Sequence, residues 1–261
     1  MLVPTMGALH AGHAALIRQG VELARARHLA GGCVVSIFVN PTQFNDPSDY
    51  ARYPRTLDAD AQVCCEAGAS AIFEPSVETI YPAEAPPPVP PLPRVATSPG
   101  LEDAFRPGHF AGVCQVVNRL FSLIAPHAAV FGEKDWQQLQ VITAMSRSLG
   151  LPVEIHPGRT VREPDGLAMS SRNRFLKPEE RTVAVAISEA MIACGGCETP
   201  EQAEQVLRTR LDRPELHVEY AVVRDAGTLE STILGGRPCR TLVAARIGTV
   251  RLIDNMPWPL D

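Results

Sequence analysis

The segment His10-Ala11-Gly12-His13 places two imidazoles three residues apart, where an apolar run gives way to a helical pattern. Gly12 lets the backbone approach a ligand closely, and the first turn of a helix points unpaired N–H groups and a positive dipole end at that ligand. Imidazole N–H groups can donate to phosphate oxygens, so the segment predicts a triphosphate site that stabilises charge as pyrophosphate leaves. The alternative is a pair of surface or helix-capping histidines. Metal binding is disfavoured because no third ligand has close spacing.

A second polar segment, Met169-Ser170-Ser171-Arg172, follows Asp165-Gly166-Leu167-Ala168. Two hydroxyls and a guanidinium on a glycine-hinged loop suit phosphate oxygens, which accept several hydrogen bonds. The alternative is an ordinary polar loop at a domain boundary.

A third segment, Gly132-Glu133-Lys134-Asp135, adds a lysine and an acid. Lys134 can act as a point charge on a phosphate, and the acid can reach a ribose hydroxyl as acids after Rossmann strands do. The alternative is a solvated charge cluster in which Asp135 caps the next helix. Gln43 and Gln138 can hydrogen-bond a hydroxy-acid substrate, although each taken singly is also an ordinary polar side chain.

Two further segments are less specific. Arg106-Pro107-Gly108-His109 precedes an apolar helix, whose start could hold a phosphate or carboxylate or could be a simple turn. Cys194-Gly195-Gly196-Cys197 has redox or zinc spacing, but no second CxxC or histidine pair accompanies it. Reduced thiols without a chemical role are therefore the favoured interpretation of the cysteines.

These segments are positioned by short apolar runs that alternate with helical patterns. The runs predict strands at Leu2-Val3, Cys33 to Val39, Ala71 to Phe73, Ala128 to Phe131 and Val153 to His156, and helices over 13–29, 55–67, 111–124 and 135–149. Strand–helix alternation predicts a parallel sheet with helices on both faces.

The polar segments follow the ends of the first, second, fourth and fifth strands. The second of these segments in the chain is Asn40-Pro41-Thr42-Gln43-Phe44, and residues 162–172 follow the fifth strand. Ligands bind outside the carboxyl ends of the strands in an open parallel sheet. We therefore expect one composite site, which is stronger evidence than any single motif.

The character of the chain changes beyond about residue 175. Helical patterns at 178–193 and 200–211 precede strands near 217–223, 240–246 and 250–253, which predicts a small C-terminal α+β domain. We accordingly divide the chain into a Rossmann-like domain, residues 1–174, and a smaller domain, residues 175–261.

Residues 82–99 hold eight prolines, which excludes a helix or a central strand. We interpret this stretch as an extended surface connection rather than as a PxxP ligand for a partner domain.

Composition limits the class of partner. The formal net charge of −5 argues against a nucleic-acid scaffold, which normally has a basic footprint. No apolar run reaches the roughly 18 residues of a membrane helix, and no basic region followed by an apolar one opens the sequence. We expect a cytoplasmic protein with neither a nucleic-acid nor a membrane partner.

Several long segments together resemble the pantothenate synthetase (pantoate–β-alanine ligase) family. This family belongs to the HxGH-bearing nucleotidyltransferases, which are related in fold to class I aminoacyl-tRNA synthetases. The matching segments are residues 4–13, 35–44, 53–56, 106–110, 131–135 with 137–139, 165–173, 242–246 and 252–255. The resemblance covers nearly the whole chain, in the same order, and is far more specific than any one motif.

The resemblance implies an ATP- and Mg²⁺-dependent ligase that forms a carbon–nitrogen bond in two steps. Pantoate attacks the α-phosphorus of ATP to give pantoyl adenylate and pyrophosphate, and the amine of β-alanine then attacks the acyl carbon and releases AMP. A homodimer is also implied. Positioning and charge stabilisation can carry most of such a reaction without a covalent nucleophile.

The resemblance also implies roles for individual residues. The ATP-binding residues would be Met6, Gly7, Ala8, Leu9, His10, Ala11, Gly12, His13, Gly132, Glu133, Lys134, Asp135, Val161, Met169, Ser170, Ser171 and Arg172. His13 would be the proton donor, and transition-state phosphate charge would be stabilised by His10, Lys134, Ser170, Ser171 and Arg172.

The acid and amine substrates would bind elsewhere in the same pocket. Gln43 and Gln138 would hold pantoate, with Gln43 also near β-alanine, and Asn40 and His109 are further candidates. Asp60 is the candidate metal ligand.

The chain departs from the family pattern in three places. It begins almost at the Pro4 motif, so we expect a misassigned start or a shortened first strand. The stretch 82–99 is unusual for the family, and Trp136 replaces a smaller aromatic residue.

The alternative functions are another adenylate-forming or nucleotidyl-transferring enzyme of this fold and a catalytically silent nucleotide-binding protein. The acidic balance disfavours a tRNA-binding role.

Overall fold

A computed structural model describes residues 1–45, 47–231 and 237–259. Its strands are β1 (Leu2–Thr5), β2 (Val34–Ile37), β3 (Ala71–Phe73), β4 (Ala128–Gly132), β5 (Glu154–Gly158), β6 (Leu216–Asp225), β7 (Cys239–Ile247) and β8 (Val250–Trp258). Its helices are α1 (Ala11–Ala26), α2 (Pro47–Arg52), α3 (Leu57–Glu66), α4 (Val77–Ile80), α5 (Glu102–Phe105), α6 (His109–Ile124), α7 (Trp136–Ser148), α8 (Pro178–Cys194) and α9 (Pro200–Leu211).

Strands β1 to β5 form one parallel sheet in the order β3-β2-β1-β4-β5. The chain winds outward from β1 in one direction to β3 and then in the other direction to β5, which places helices on both faces when the crossovers are right-handed. The central strands are apolar: Leu2, Val3, Val35 and Ala129 are all completely buried. The predicted α/β sheet is confirmed.

Strands β6, β7 and β8 form a separate antiparallel sheet with β7 in the middle. Small residues of the two helices before it pack against its apolar residues, among them Ala184, Ala190 and Ala203, all completely buried. Alanine lets helix and sheet approach closely, so this short segment builds a core of its own. The predicted small C-terminal α+β fold is confirmed.

The largest difference from the predicted strands is the length of β8. We predicted residues 250–253, whereas the strand extends to Trp258. The apolar pattern of the sequence ends at the polar residues Asp254 and Asn255. In the structure both are buried; Asp254 accepts a hydrogen bond from Arg162, and Asn255 accepts one from Arg240. Paired polar groups can occupy a core, so hydropathy alone underestimates such a strand.

Helix starts also differ by a few residues, because local capping decides them. We predicted α1 from residue 13 and α6 from residue 111; they begin at Ala11, after His10, and at His109, after Gly108 with φ of 80°. The proline-rich residues 82–99 contain neither an α-helix nor a strand, as predicted, and hold one 3-10 turn, Arg94–Ala96.

The chain divides into two compact units. The first comprises Met1–Glu133 and Gln137–Arg159, and the second comprises Lys134–Trp136 and Thr160–Asp261. We predicted a boundary between residues 174 and 175, whereas the second unit already includes the chain from Thr160 onward. The loop after β5 belongs to this unit because Arg162 bonds to Asp254 on β8. Across the described residues, no helix combines the length and apolar character needed to cross a membrane.

Candidate active site

In the first unit, three of the predicted polar segments leave the same edge of the sheet. Strand β1 lies between β2 and β4, and all three run parallel. The segments that follow these strands therefore emerge at their common carboxyl edge, as the sequence predicted. They are residues 6–13 after β1, 38–44 after β2 and Glu133 after β4.

The two histidines of the first segment cap helix α1. His10 Nδ1 accepts a hydrogen bond from the Gly12 N–H (3.2 Å), and His13 Nδ1 accepts one from the His10 N–H (3.3 Å). A neutral imidazole that accepts at Nδ1 carries its proton on Nε2. In both rings, whose centres are 4.1 Å apart, Nε2 therefore carries the proton. The capping role that the structure shows is thus compatible with the predicted phosphate-binding role.

The loop before these histidines has an unusual backbone. Gly7 has φ of 81° and Ala8 has φ of 51°. The left-handed region costs an L-residue such as Ala8 roughly 1–2 kcal/mol, so surrounding contacts must hold it. They come from Asp60, whose Oδ2 accepts the Ala8 N–H (3.0 Å) and whose Oδ1 accepts the Leu9 N–H (2.7 Å).

Asp60, the candidate metal ligand, bonds to the backbone of the histidine loop. The residue is only 2 % exposed, and each carboxylate oxygen already accepts a backbone N–H. Glu74 lines the same cavity, but the described residues contain no group of three or more His, Cys, Asp or Glu that could hold a metal ion. Asp60 therefore supports the loop that carries the histidines, and its role as a metal ligand stays a prediction.

A cavity of 210 Å³ opens at the carboxyl ends of β1, β2 and β3. Its lining includes Met6, Val39, Tyr50, Arg55 and Glu74. The cavity is next to the histidine loop and combines apolar walls with charged groups, as small-molecule sites do.

Asn40, a candidate for the substrate pocket, is a structural residue. It is 1 % exposed; its Nδ2 donates to the Gly112 carbonyl (3.2 Å) and its Oδ1 accepts from the Thr42 N–H (3.3 Å) and the Tyr81 hydroxyl (2.8 Å). A Cβ on Gly112 would lie 2.5 Å from the Thr42 carbonyl, so only glycine fits there. Asn40 therefore holds the segment after β2 against α6, and its role in substrate binding stays a prediction.

His109, the other weaker candidate, also acts on protein groups. Its Nδ1 contacts the Gln43 carbonyl (3.2 Å) and its Nε2 contacts Arg106 Nη1 (3.2 Å), so the ring donates from Nδ1 and accepts at Nε2. Arg106 Nη2 donates to the same carbonyl (3.1 Å). The predicted anion site at the start of α6 instead holds the backbone of Gln43.

The two glutamines differ from these buried residues. Gln43 and Gln138 are partly exposed, and within the described part of the chain their side-chain amides make no hydrogen bond. Their amides are thus available to a polar ligand, as the pantoate assignment requires.

The second unit holds Lys134 through its backbone. Asn255 Nδ2 donates to the Lys134 carbonyl (2.8 Å), and Arg240 Nε donates to Asn255 Oδ1. The Arg240 guanidinium lies 3.6 Å from the ring centre of Trp136, whose indole N–H donates to the Ala226 carbonyl (2.8 Å). The Lys134 ammonium makes a loose contact with Asp135 (3.9 Å).

The loop with the paired serines is a short hairpin in the same unit. The Val161 carbonyl accepts the Met169 N–H (2.9 Å), and Ser170 Oγ caps the following 3-10 turn at the Arg172 N–H (3.2 Å). The Arg172 side chain makes no hydrogen bond or ion pair to any described residue. Its guanidinium is thus a donor for an anion, while the hairpin fixes the hydroxyls beside it.

The cysteines take no part in this chemistry. All seven are free thiols. Burial raises the pKa of the Cys194 thiol to about 11, and so disfavours the thiolate that redox or zinc chemistry needs. The CxxC spacing therefore reflects a buried helix end.

Comparison with known proteins gives one consistent family. A family model described as pantoate-beta-alanine ligase matches residues 1–257. The pantothenate synthetase of Nocardioides sp. is 48 % identical, covering 99 % of this chain and 78 % of that protein. The pantothenate synthetase of Rubrobacter xylanophilus is 46 % identical, covering 99 % and 90 %.

Solved structures agree. The crystal structure of pantothenate synthetase from Thermus thermophilus matches with a TM-score of 0.87 and 42 % identity, covering 98 % of this chain and 91 % of that one. The pantoate-beta-alanine ligase of Francisella tularensis, complexed with beta-gamma ATP and beta-alanine, matches with a TM-score of 0.75 and 33 % identity, covering 98 % and 88 %.

Proposed function

Because this chain belongs to the pantoate–β-alanine ligase family, we propose that it joins pantoate to β-alanine in an ATP-dependent reaction through a pantoyl adenylate. The pantoate carboxylate attacks the α-phosphorus and pyrophosphate leaves; the β-alanine amine then attacks the acyl carbon and AMP leaves. The single observation that supports this most is the pair of adjoining imidazoles that cap the start of α1.

The two imidazoles supply donors where negative charge grows. His13 donates to the departing phosphate oxygens, and His10 stabilises the same charge from the adjoining ring. The positive end of α1 adds to this effect. The family resemblance also assigns phosphate-binding roles to Lys134, Ser170, Ser171 and Arg172, and nucleotide-binding roles to Gly132 to Asp135, Val161 and Met169.

Pantoate and β-alanine bind through the glutamines. The Gln43 and Gln138 amides hold the pantoate hydroxyl and carboxylate groups, which orients the carboxylate for in-line attack. Mg²⁺ accompanies ATP and neutralises part of the triphosphate charge.

We expect the protein to be a cytoplasmic homodimer, and the resemblance of the whole chain to its family supports this expectation. The mass of the purified protein by light scattering measures the oligomeric state.

The reaction is tested by AMP and pyrophosphate release from ATP, Mg²⁺ and pantoate, with and without β-alanine. We expect AMP release only with all substrates, and a loss of at least about 100-fold in His13→Ala, the scale of a lost general acid. His127→Ala, at an exposed histidine, should keep full activity. ATP binding without any AMP formation would contradict the proposal and leave a nucleotide-binding role.

A further inference from the structure

Asp60 joins two distant parts of the first unit. It lies in the first turn of α3, yet its carboxylate accepts the backbone N–H groups of Ala8 and Leu9 (3.0 and 2.7 Å), 52 and 51 residues away. The Thr56 hydroxyl donates to the same carboxylate (3.2 Å). An ionised carboxylate with three donors forms strong, charge-assisted hydrogen bonds.

The loop is shaped to receive this carboxylate. Successive positive φ values at Gly7 and Ala8 turn neighbouring N–H groups toward one point, which makes a small anion-binding concavity. A Cβ on Gly7 would lie 3.0 Å from Asp60 Oδ2, so the carboxylate fills the space against the loop. The chain thus uses its own side chain where other loops of this kind bind a free anion.

We propose that Asp60 is a positioning residue for the ligase reaction: its carboxylate holds the β1–α1 loop so that His10 and His13 face the nucleotide. The Leu9 N–H that it binds belongs to the residue directly before His10, the cap of α1. Release of that N–H changes the entry of the chain into the helix and moves both imidazoles. The proposal rests on the proposed function.

The test compares Asp60→Asn with Asp58→Asn, an exposed acid on the same helix. Asparagine retains one acceptor oxygen but turns an NH₂ group toward the other backbone N–H. We expect kcat to fall about 10- to 100-fold, as when a catalytic group is displaced by about 1 Å, with the KM for pantoate unchanged. Thr56→Val should lower kcat about 2- to 5-fold, the loss of one weaker hydrogen bond. Asp58→Asn should behave as wild type.

The same variants distinguish a positioning role of Asp60 from a metal-binding role. If Asp60 only positions the loop, the Mg²⁺ concentration for half-maximal rate is unchanged in Asp60→Asn. Recovery of kcat at high Mg²⁺ would show a metal ligand and overturn the proposal, as would a wild-type kcat. In Asp60→Ala, formate can enter the vacated concavity, so it should restore part of the activity there and none in His13→Ala.

One measurement does not depend on activity. Hydrogen exchange at the Ala8 and Leu9 amides should be at least about 10-fold faster in Asp60→Asn than in Asp58→Asn, because a lost hydrogen bond exposes them. Unchanged protection would overturn the proposal even if the wild type is inactive. Faster exchange in a protein that makes no AMP would support the loop contact and contradict only the ligase function.

Discussion

Each imidazole of the His10–His13 pair divides its work between two nitrogen atoms. Nδ1 completes the first turn of α1, and Nε2 carries the proton. A residue type with one acceptor and one donor is therefore sufficient both to build the helix start and to stabilise phosphate. Glutamine could reproduce the geometry in part, but it could not transfer a proton.

At the residue scale we predict that His109 acts on substrate binding through Gln43. His109→Phe removes one of two donors to the Gln43 carbonyl, so the KM for pantoate should rise about 5- to 10-fold, the scale of one hydrogen bond, with kcat less affected. His109→Asn, whose Nδ2 can replace Nδ1, should recover most of the affinity. Steady-state kinetics check this, and equal KM values in all three proteins would contradict it.

The sequence alone predicts the His10–His13 segment and Gln43 as site residues, because the motifs are local and their chemistry is carried by residue type. The roles of Asn40 and Asp60 were assigned to ligands instead. Their hydrogen-bond partners lie 72 and up to 52 residues away, at Gly112 and Ala8. A single sequence gives no sign of such long-range pairing, so it does not reveal that these two side chains hold other segments of the chain.

At the scale of elements, the buried polar residues of β8 explain how Lys134 is fixed. Asn255 accepts from Arg240 and donates to the Lys134 carbonyl, while Arg240 covers Trp136. An unusually bulky aromatic at position 136 thus has a defined partner. The sequence predicted the position of β8 from its apolar residues, but these contacts required the polar end of the strand, which hydropathy does not reveal.

We predict that Asn255→Ala lowers kcat about tenfold, a loss of about 1.4 kcal/mol in transition-state stabilisation, because the Lys134 backbone loses its donor. Arg246→Gln, which breaks the contact of Arg246 on β7 with Glu219 on β6, is the control and should keep kcat. Steady-state rates and melting curves are measured together. A fall in stability with unchanged kcat would show that Asn255 serves only the fold.

At the scale of the whole molecule, several carboxyl groups share one direction of pKa shift. Burial raises the pKa of Glu163, but hydrogen bonds from Arg181 and Asn173 more than offset it, so its pKa lies below the ordinary value. Burial likewise raises the pKa of Asp165, and the Leu167 N–H and Arg181 reverse it. Burial acts in the same direction on the pKa of Asp225, and hydrogen bonds from Thr228 and Gly227 lower it.

The sign of the pH dependence follows from these shifts. A group with a depressed folded pKa contributes its full stability above its unfolded pKa, about 4 for Asp and Glu, and loses it as the pH falls through the folded pKa. The protein should therefore lose stability below about pH 4. Arg181 is central, because it pairs with both Glu163 and Asp165 at 2.7 Å.

We predict that Arg181→Gln lowers the free energy of unfolding at pH 7 by about 1 kcal/mol, a value reduced for the partial exposure of this triad. The difference in free energy of unfolding between the variant and wild type should become smaller as the pH falls from 5 to 3, because the protonated carboxyl groups no longer attract Arg181. Both tryptophans, Trp136 and Trp258, lie in the same unit as Arg181, so their fluorescence during urea titration reports this transition. Arg208→Gln, at a more exposed ion pair, should match wild type throughout. If the difference in free energy of unfolding stays constant from pH 7 to pH 3, Arg181 stabilises the unit by packing rather than by charge.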